Sequence, residues 1–321
     1  MKAIIRTHYG GPEGLFLGEL SKPEPRPREV LVKVYATTVS RTDCGVLRGQ
    51  PRILRLFTGW PKPRNRVPGT DFAGQIEVLG SGVRDYQVGD RVFGFNDIGL
   101  SSEAEYLTIR ENTGIAKVPD RFSYAEAVAC VEGAHYAYNY INRMHLQADS
   151  KVLVNGATGA IGSAAVQLLK YEGVYVTAVG NAKNKALLLS LGVDKFWDYE
   201  KEDFTRDEER YDYVLDAVGK STFGQCKTLL QPTGVYMSSE LGPGGENLYL
   251  PLLTRFSGKQ VKFPVPIDIE GSLRHVTSLI EQEAFRAVID RYYSMEQIRE
   301  AYTYVMSGQK TGNVILQVRA E

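Results

Sequence analysis

Short runs of alternating apolar and polar residues fill the first third of the chain, a pattern typical of β-strands. They predict strands at 28–35, 74–79 and 91–93, bounded by proline-rich or glycine-containing turns. Between the first two lies the segment 47–66, with three prolines, two glycines, five arginines and Trp60. A loop this long inside a compact domain predicts either a functional or a mobile segment.

From about residue 123 the pattern changes to alternating helices and strands. The capping box Ser123–Glu126 predicts a helix that continues through about Ile141. Alternating units of this kind wind into a parallel sheet covered on both faces, with ligands at the carboxyl ends of the strands. The predicted strands lie at 151–155, 174–179, 196–199, 211–219, 234–238 and 260–263.

The last fifty residues change pattern again. A strand is predicted at 285–292, and a second capping box, Ser294–Gln297, predicts a helix that closes near Gly308. Residues 314–318 form a final predicted strand. We expect this tail to return to the first domain rather than extend the parallel sheet.

The strand at 151–155 leads into three glycines spaced by three, which open an amphipathic helix. This is the arrangement of a dinucleotide-phosphate site, where glycines let the backbone approach the pyrophosphate and the first helical N–H groups meet its charge. A tight strand–helix turn without a ligand is the alternative. The residues predicted to line the phosphates are Gly156, Thr158, Gly159, Ala160 and Ile161.

The strand after the glycine helix ends without a carboxylate. In NAD enzymes an Asp or Glu about 20 residues past the glycines binds the ribose 2′-hydroxyl. This chain has Asn181, Lys183 and Lys185 there instead, so we predict NADPH as the cofactor. Ordinary solvated charges at a helix start are the alternative interpretation of the two lysines.

Composition limits the partners and the compartment. The 321 residues contain 38 Lys+Arg and 38 Asp+Glu, so we expect neither a nucleic acid nor a membrane as partner. The first residues have the pattern of a strand and not that of a signal peptide. No apolar run is long enough for a bilayer span. The three cysteines form no C-x-x-C pair, which favours a reducing compartment. We therefore expect a cytoplasmic protein.

Several motifs occur in a fixed order along nearly the whole chain: Pro68–Gly74, Gly89–Val92, Ala104–Tyr106, Leu191–Asp194 and Val214–Gly219. Together with the glycine motif, they make the chain resemble a zinc-free medium-chain dehydrogenase/reductase of the quinone oxidoreductase (zeta-crystallin-like) branch. The resemblance implies an α/β protein: a Rossmann doubly wound parallel sheet at 123–264, plus a GroES-like β domain from 1–122 and 265–321. A cleft between them would hold nicotinamide and substrate, and relatives commonly form homodimers.

The resemblance also bears on metal. Ser40 stands where zinc-dependent relatives have a Cys ligand, and Thr70–Asp71 stand where they have His-Glu, so we expect no metal. Without a Lewis acid, hydride transfer to a quinone or an α,β-unsaturated carbonyl becomes the leading activity. The alternatives are a metal-free aldehyde or alcohol oxidoreductase, and a non-catalytic NADPH-binding sensor or structural protein.

The resemblance suggests two catalytic residues. Ser40 would donate a hydrogen bond near the nicotinamide, and Asp43 would orient Ser40 or Arg41. The alternatives are a helix cap for Ser40 and a first-turn carboxylate that favours the helix dipole for Asp43. The resemblance also carries further cofactor contacts over to Tyr199, Val218, Ser238, His135 and Lys310. For Tyr199 the alternative is packing at the end of a strand, and for His135 it is a packed position in the core.

Overall fold

The computed structural model describes residues 1–52, 55–97 and 99–320. The chain forms two compact units, the β unit (Met1–Glu132 with Ile269–Glu321) and the α/β unit (Gly133–Asp268). The chain passes from the β unit to the α/β unit after Glu132, which is later than the change of sequence pattern at residue 123. The reason is that the helix after Ser123 packs on strands of the β unit. There the Tyr124 ring stacks on that of Tyr35, with 4.4 Å between the ring centroids.

The strands are numbered in chain order. They are β1 (Lys2–Ile5), β2 (Phe16–Glu19), β3 (Glu29–Thr38), β4 (Asp71–Leu79), β5 (Arg91–Phe95), β6 (Tyr106–Arg110), β7 (Ile115–Lys117), β8 (Lys151–Asn155), β9 (Tyr175–Gly180), β10 (Lys195–Asp198), β11 (Tyr211–Asp216), β12 (Leu230–Ser238), β13 (Gln260–Lys262), β14 (Ile289–Ser294) and β15 (Asn313–Gln317).

The α-helices are α1 (Arg41–Arg48), α2 (Arg55–Thr58), α3 (Tyr124–Ala129), α4 (Glu132–Ile141), α5 (Ala160–Tyr171), α6 (Lys185–Ser190), α7 (Phe223–Cys226), α8 (Glu246–Leu253), α9 (Ile269–Glu281) and α10 (Ile298–Met306). Short 3-10 helices occur at Pro12–Gly14, Ala182–Asn184, Phe204–Arg206, Pro243–Gly245 and Met295–Gln297. No helix in the described ranges is long and apolar enough to cross a membrane.

The large sheet of the β unit has the order β14-β15-β3-β4-β5-β7, with β6 also paired to β3. Its neighbours are antiparallel except β14 and β15. The tail strand β15 pairs with β3, where Ile315 lies opposite Thr38, so the tail does return to the first domain. A core around Val32, Phe72 and Val92 packs on this sheet.

The α/β unit contains a six-stranded parallel sheet of order β10-β9-β8-β11-β12-β13. Counted from β8, this is the 3-2-1-4-5-6 order of the doubly wound dinucleotide-binding fold, so the prediction of that fold is confirmed. The chain reverses its direction of winding between β8 and β11. Ligands of such sheets bind outside the carboxyl ends of the strands at this point.

Several predicted strands differ from the structure at their ends, as β11 does by ending at Asp216, and two predicted elements differ more widely. The helix predicted from 123 to 141 is broken into α3 and α4, because the N–H groups of Cys130 and Val131 bond three residues back, to Ala127 and Val128. The strand predicted from 285 begins only at β14, since α9 ends in a turn with Glu283 at φ +59° before the chain becomes extended.

Candidate functional site

The turn after β8 requires glycine at two positions. Gly156 has φ +77°, and a Cβ there would lie 2.6 Å from Cβ of Val218. A Cβ on Gly162 would lie 2.2 Å from the carbonyl oxygen of Gly156 and 2.7 Å from Cα of Ala157. Helix α5 can therefore start directly against the turn only because Gly162 has no side chain.

The N-terminus of α5 is open for an anion. Its N-cap, Gly159, has no side chain to occupy the first N–H groups, and its first turn contains no acidic residue. These N–H groups and the helix dipole attract negative charge. Gly156, Thr158, Gly159, Ala160 and Ile161 are thus brought together in one turn that can hold a pyrophosphate.

Asp216, at the end of β11, fixes the neighbouring loop. Its Oδ1 accepts hydrogen bonds from the N–H groups of Val218 (3.1 Å) and Gly219 (2.9 Å), and its Oδ2 accepts one from the N–H of Ser221 (2.9 Å). The amide of Asn155, the last residue of β8, also donates to Oδ1, at 3.3 Å. The buried carboxylate therefore holds Val218 against the glycine turn.

Basic and amide side chains follow β9. Oδ1 of Asn181 accepts a hydrogen bond of 2.8 Å from Asn184, which leaves the Asn181 amide group as a donor. Lys183 lies in the 3-10 helix that follows, and Lys185 begins α6, with Nζ 5.7 Å from the centre of the Phe196 ring. None of the five residues 181–185 is acidic.

The remaining predicted contacts of the α/β unit lie at the ends of β10 and β12. Tyr199 is 54% exposed, and its N–H donates to the carbonyl of Gly180 at 3.1 Å, which ties the end of β10 to that of β9. Ser238 is buried, and its Oγ accepts from the N–H of Glu240. The carboxyl edge of the sheet thus gathers every predicted cofactor residue of this unit except His135.

His135 lies on α4 with its ring nitrogens engaged by protein groups. Nε2 donates to the carbonyl of Pro266 at 3.0 Å, and the Asn139 amide contacts Nδ1 at 3.3 Å. Burial lowers the pKa of His135 to about 4, so the ring is neutral at physiological pH. This geometry favours the packed-core interpretation, and the cofactor role of His135 stays a prediction.

Ser40 and Asp43 form a reciprocal helix cap in the β unit. Oγ of Ser40 accepts from the N–H of Asp43 at 3.0 Å, while Oδ2 of Asp43 accepts from the N–H (2.9 Å) and hydroxyl (2.7 Å) of Ser40. The single hydroxyl proton of Ser40 is therefore directed to Asp43. The structure supports the capping alternative, and it also supports the expectation that Asp43 orients Ser40.

Asp43 belongs to a group of buried acids in the β unit. Burial raises the pKa of Asp43, of Asp71 (to about 7), of Glu103 and of Glu132. Asp71 accepts hydrogen bonds at Oδ1 from the N–H of Thr38 (2.7 Å) and at Oδ2 from its hydroxyl (2.6 Å). Both oxygens of the Asp71 carboxyl group are therefore held by hydrogen bonds from Thr38.

Lys310 also lies in the β unit, where Nζ donates to the carbonyl of Gly312 at 2.6 Å. Burial lowers the pKa of Lys310, and the carboxyl group of Glu132 opposes this effect. The predicted role of Lys310 toward the cofactor stays a prediction.

Two family models and several relatives match the chain. Residues 26–136 match the alcohol dehydrogenase GroES-like domain, and residues 191–316 match the zinc-binding dehydrogenase domain. A quinone-oxidoreductase homolog, chloroplastic, from Spinacia oleracea is 27% identical over 329 residues, 99% of this chain and 98% of that protein. The structure of the quinone oxidoreductase from Coxiella burnetii has a TM-score of 0.88 at 25% identity, with 99% of both chains covered. The chain belongs to the medium-chain dehydrogenase/reductase superfamily.

A further relative of this oxidoreductase is the NADPH-dependent alkenal/one oxidoreductase, chloroplastic, from Arabidopsis thaliana. It is 27% identical over 330 residues, which cover 98% of this chain and 79% of that protein. The resemblance to the quinone oxidoreductase branch of the superfamily is therefore confirmed, and so is the prediction that the chain is an enzyme.

Because one matched family model is described as a zinc-binding dehydrogenase, the residues at the zinc-ligand positions of this oxidoreductase need to be compared with those of zinc-dependent relatives. Ser40, Thr70 and Asp71 occupy the positions where zinc-dependent relatives were expected to have Cys, His and Glu. Among the residues that the structure describes, no three or more His, Cys, Asp or Glu side chains are grouped to hold a metal ion. All three cysteines are buried free thiols.

Two residues of this arrangement, Asp216 and Glu103, are absent from the sequence-based predictions. Asp216 lies in the motif Val214–Gly219, and a carboxylate at the end of a buried strand is a signal for a loop anchor. Glu103 had no such signal. It is fully buried, its Oε1 accepts from the hydroxyl of Tyr302 at 2.7 Å, and its Oε2 has no hydrogen-bond partner in the structure.

Proposed function

We propose that this protein is an NADPH-dependent, zinc-independent reductase of quinones or α,β-unsaturated carbonyl compounds. The observation that carries the proposal is the carboxyl edge of the α/β unit. An open glycine turn stands there beside a strand end that bears Asn181, Lys183 and Lys185 and no carboxylate. The names of the relatives, which include a quinone oxidoreductase and an NADPH-dependent alkenal/one oxidoreductase, support the same activity.

The α/β unit acts as the cofactor-binding domain. Bound NADPH supplies a hydride. The N–H groups at the start of α5 hold the pyrophosphate, while Lys183 and Lys185 neutralise the 2′-phosphate with Asn181 as a further donor. The turn fits this group because no side chain caps the start of α5 and no acidic residue lies in its first turn. Tyr199, Val218 and Ser238, at the ends of the neighbouring strands, complete the nucleotide contacts.

The β unit acts as the substrate domain. Its residues exclude water and align an acceptor whose own conjugation makes it reactive toward hydride. Ser40 and Asp43 serve as positioning residues, because their mutual cap fixes the start of α1. His135 and Lys310 remain candidates for contacts with the cofactor, supported by the family resemblance alone.

Oxidation of NADPH by the chelator-treated protein tests the proposal, with a quinone, an enone and a saturated aldehyde as separate acceptors. We expect turnover of the quinone or the enone and little turnover of the aldehyde. Turnover of the aldehyde alone would establish the metal-free aldehyde oxidoreductase instead. Binding of NADPH without oxidation by any acceptor would establish a non-catalytic NADPH-binding protein.

We also propose that the protein is a homodimer joined through the α/β unit. Helix α8 and the residues after it expose a cluster of large apolar side chains, and the neighbouring β13 is the last strand of its sheet. The cluster consists of Leu248, Tyr249, Leu252, Leu253 and Phe256, of which Phe256 is 93% exposed.

Sedimentation of the double variant Leu252→Asp/Phe256→Asp tests the dimer. We expect a dimer for the natural chain and a folded monomer for the variant. Leu189→Asp, at a half-exposed leucine on α6, is the matched control and leaves the dimer intact. A natural chain that sediments as a monomer contradicts the proposal.

A further inference from the structure

The expectation of no membrane partner rests on the balanced total charge, and that total conceals a strongly basic segment. Residues 41–52 and 55–66, the basic segment, contain seven Lys and Arg residues and one acidic residue, Asp43, whereas the whole chain has 38 of each sign. Asp43 is buried and caps α1, so its charge does not face solvent. The exposed charges of this segment are therefore all positive.

Arg6 gathers two parts of the basic segment onto one surface. Its backbone N–H donates to the carbonyl of Arg66 at 2.8 Å, and its guanidinium donates to the carbonyls of Val46 (3.0 Å) and Asn65 (3.2 Å). The end of the segment is thus held beside α1. Because Arg6 is itself buried, these bonds are protected from solvent.

Tyr9 adds the middle of the segment to the same surface. Its hydroxyl bonds to the hydroxyl of Thr58 at 2.7 Å and donates to the carbonyl of Gly59 at 2.8 Å. The guanidinium of Arg55 lies over its ring at 4.7 Å, and Nε of Arg55 donates to the carbonyl of Gly49 at 3.1 Å. The residues around α2 are therefore fixed next to the end of α1.

This arrangement presents two large apolar side chains among exposed cations. Leu56 is 68% exposed and Trp60 is 71% exposed. Burial in the protein stabilises neither side chain, whereas Trp is favoured at the interface between lipid headgroups and acyl chains. The exposed cations of the same segment are Arg41, Arg48, Arg52, Lys62, Arg64 and Arg66.

We propose that the basic segment docks the protein on an anionic membrane surface. Trp60 and Leu56 enter the headgroup region, and the surrounding cations bind lipid phosphates and carboxylates. Charge alone would also suit RNA or an acidic protein. The exposed leucine favours lipid, since an aliphatic side chain offers no stacking face to a base and gains free energy by entering an apolar layer.

Co-sedimentation of the full chain with vesicles tests the proposal. The probes are vesicles of phosphatidylcholine alone and of phosphatidylcholine containing phosphatidylserine. We expect binding to the second kind only, weakened by added salt. Both Leu56→Ala/Trp60→Ala and Lys62→Glu/Arg64→Glu should reduce the bound fraction, the charge variant by on the order of tenfold or more.

The matched control is Arg206→Glu/Arg274→Glu, which makes the same change in net charge at exposed sites outside the segment. It should retain binding, and equal loss in this control would show that only total charge matters and overturn the proposal. Absence of binding to both kinds of vesicle would also overturn it. So would binding of single-stranded RNA or polyglutamate that competes with vesicles but does not depend on Trp60 and Leu56.

Quenching of tryptophan fluorescence by brominated lipid gives a second readout, which is measured on the natural chain first. The chain has two tryptophans, and the indole N–H of Trp197 donates to Asp207 inside the α/β unit. We expect quenching of the natural chain on phosphatidylserine-containing vesicles, and its loss in Trp60→Ala. Bound protein without quenching would mean that Trp60 does not enter the lipid.

Discussion

Replacement of Gly162 by alanine tests the close contact that makes the phosphate turn possible. The added Cβ would stand 2.2 Å from the carbonyl oxygen of Gly156, whereas real Cβ contacts are essentially never shorter than 3.0 Å. Both atoms of the contact belong to backbone or to Cβ, so no side-chain rotation can relieve it. Helix α5 must move away from the turn.

Overpacking of this kind costs about 1–3 kcal/mol. For a unit of this size we expect the Tm of the α/β unit to fall by about 3–10 °C. The displaced N–H groups should also lose the anion. NADPH at a hundred times its Kd should raise the free energy of unfolding of the natural chain by about 2.7 kcal/mol. The increase should be much smaller for Gly162→Ala.

Thermal unfolding with and without NADPH measures both effects, and Gly159→Ala is the matched control. Gly159 lies in the same turn with φ −77° and ψ 176°, and its Cβ would be 3.6 Å from the nearest atom. We expect its stability to stay within about 1 kcal/mol of the natural chain. A Gly162→Ala protein as stable as Gly159→Ala would refute the packing argument.

Three further predictions concern the charged and polar residues. Lys183→Ala and Lys185→Ala should each raise the Kd for NADPH by about tenfold and leave the Kd for NADH unchanged. The control Lys227→Ala, at an exposed lysine, should change neither Kd. Equal weakening of the binding of both cofactors would contradict the 2′-phosphate assignment. Ser40→Ala should lower stability by about 1 kcal/mol and Ser40→Thr should restore it, whereas a fall in kcat without a fall in Tm would instead indicate a role in the reaction. Burial raises the pKa of Asp71 from 3.8 to about 7, so the folded state holds a proton that the unfolded state releases above pH 3.8. Stability should therefore fall as the pH rises through that interval, and the Tm of Asp71→Asn relative to the natural chain should rise over the same range; parallel curves would contradict the shift.

The parallel sheet could be predicted from the sequence because its signals are local. The strand before Gly156, the glycine spacing and the amphipathic helix each restrict a few neighbouring residues. Their alternation then leaves few possible topologies. The same locality explains why the residues after β9 could be assigned to the carboxyl edge before their contacts were known.

Contacts between residues far apart in the chain could not be predicted in this way. The bond from Tyr302 to Glu103 joins positions 199 residues apart, and the contacts of Arg6 with residues 46, 65 and 66 depend on the fold of the whole β unit. Ser40 shows a different limit. Its sequence suits either a cap or a substrate donor, and only the direction of its hydroxyl toward Asp43 favours the cap.

The preference of the enzyme between NADPH and NADH tests the central claim most directly. The measurement is the ratio of kcat/KM for the two cofactors with one quinone or enone acceptor, in the presence of a chelator. Because the end of β9 carries basic groups and no carboxylate, we expect NADPH to be favoured by about tenfold or more. A kcat/KM for NADH equal to or above that for NADPH would contradict the account.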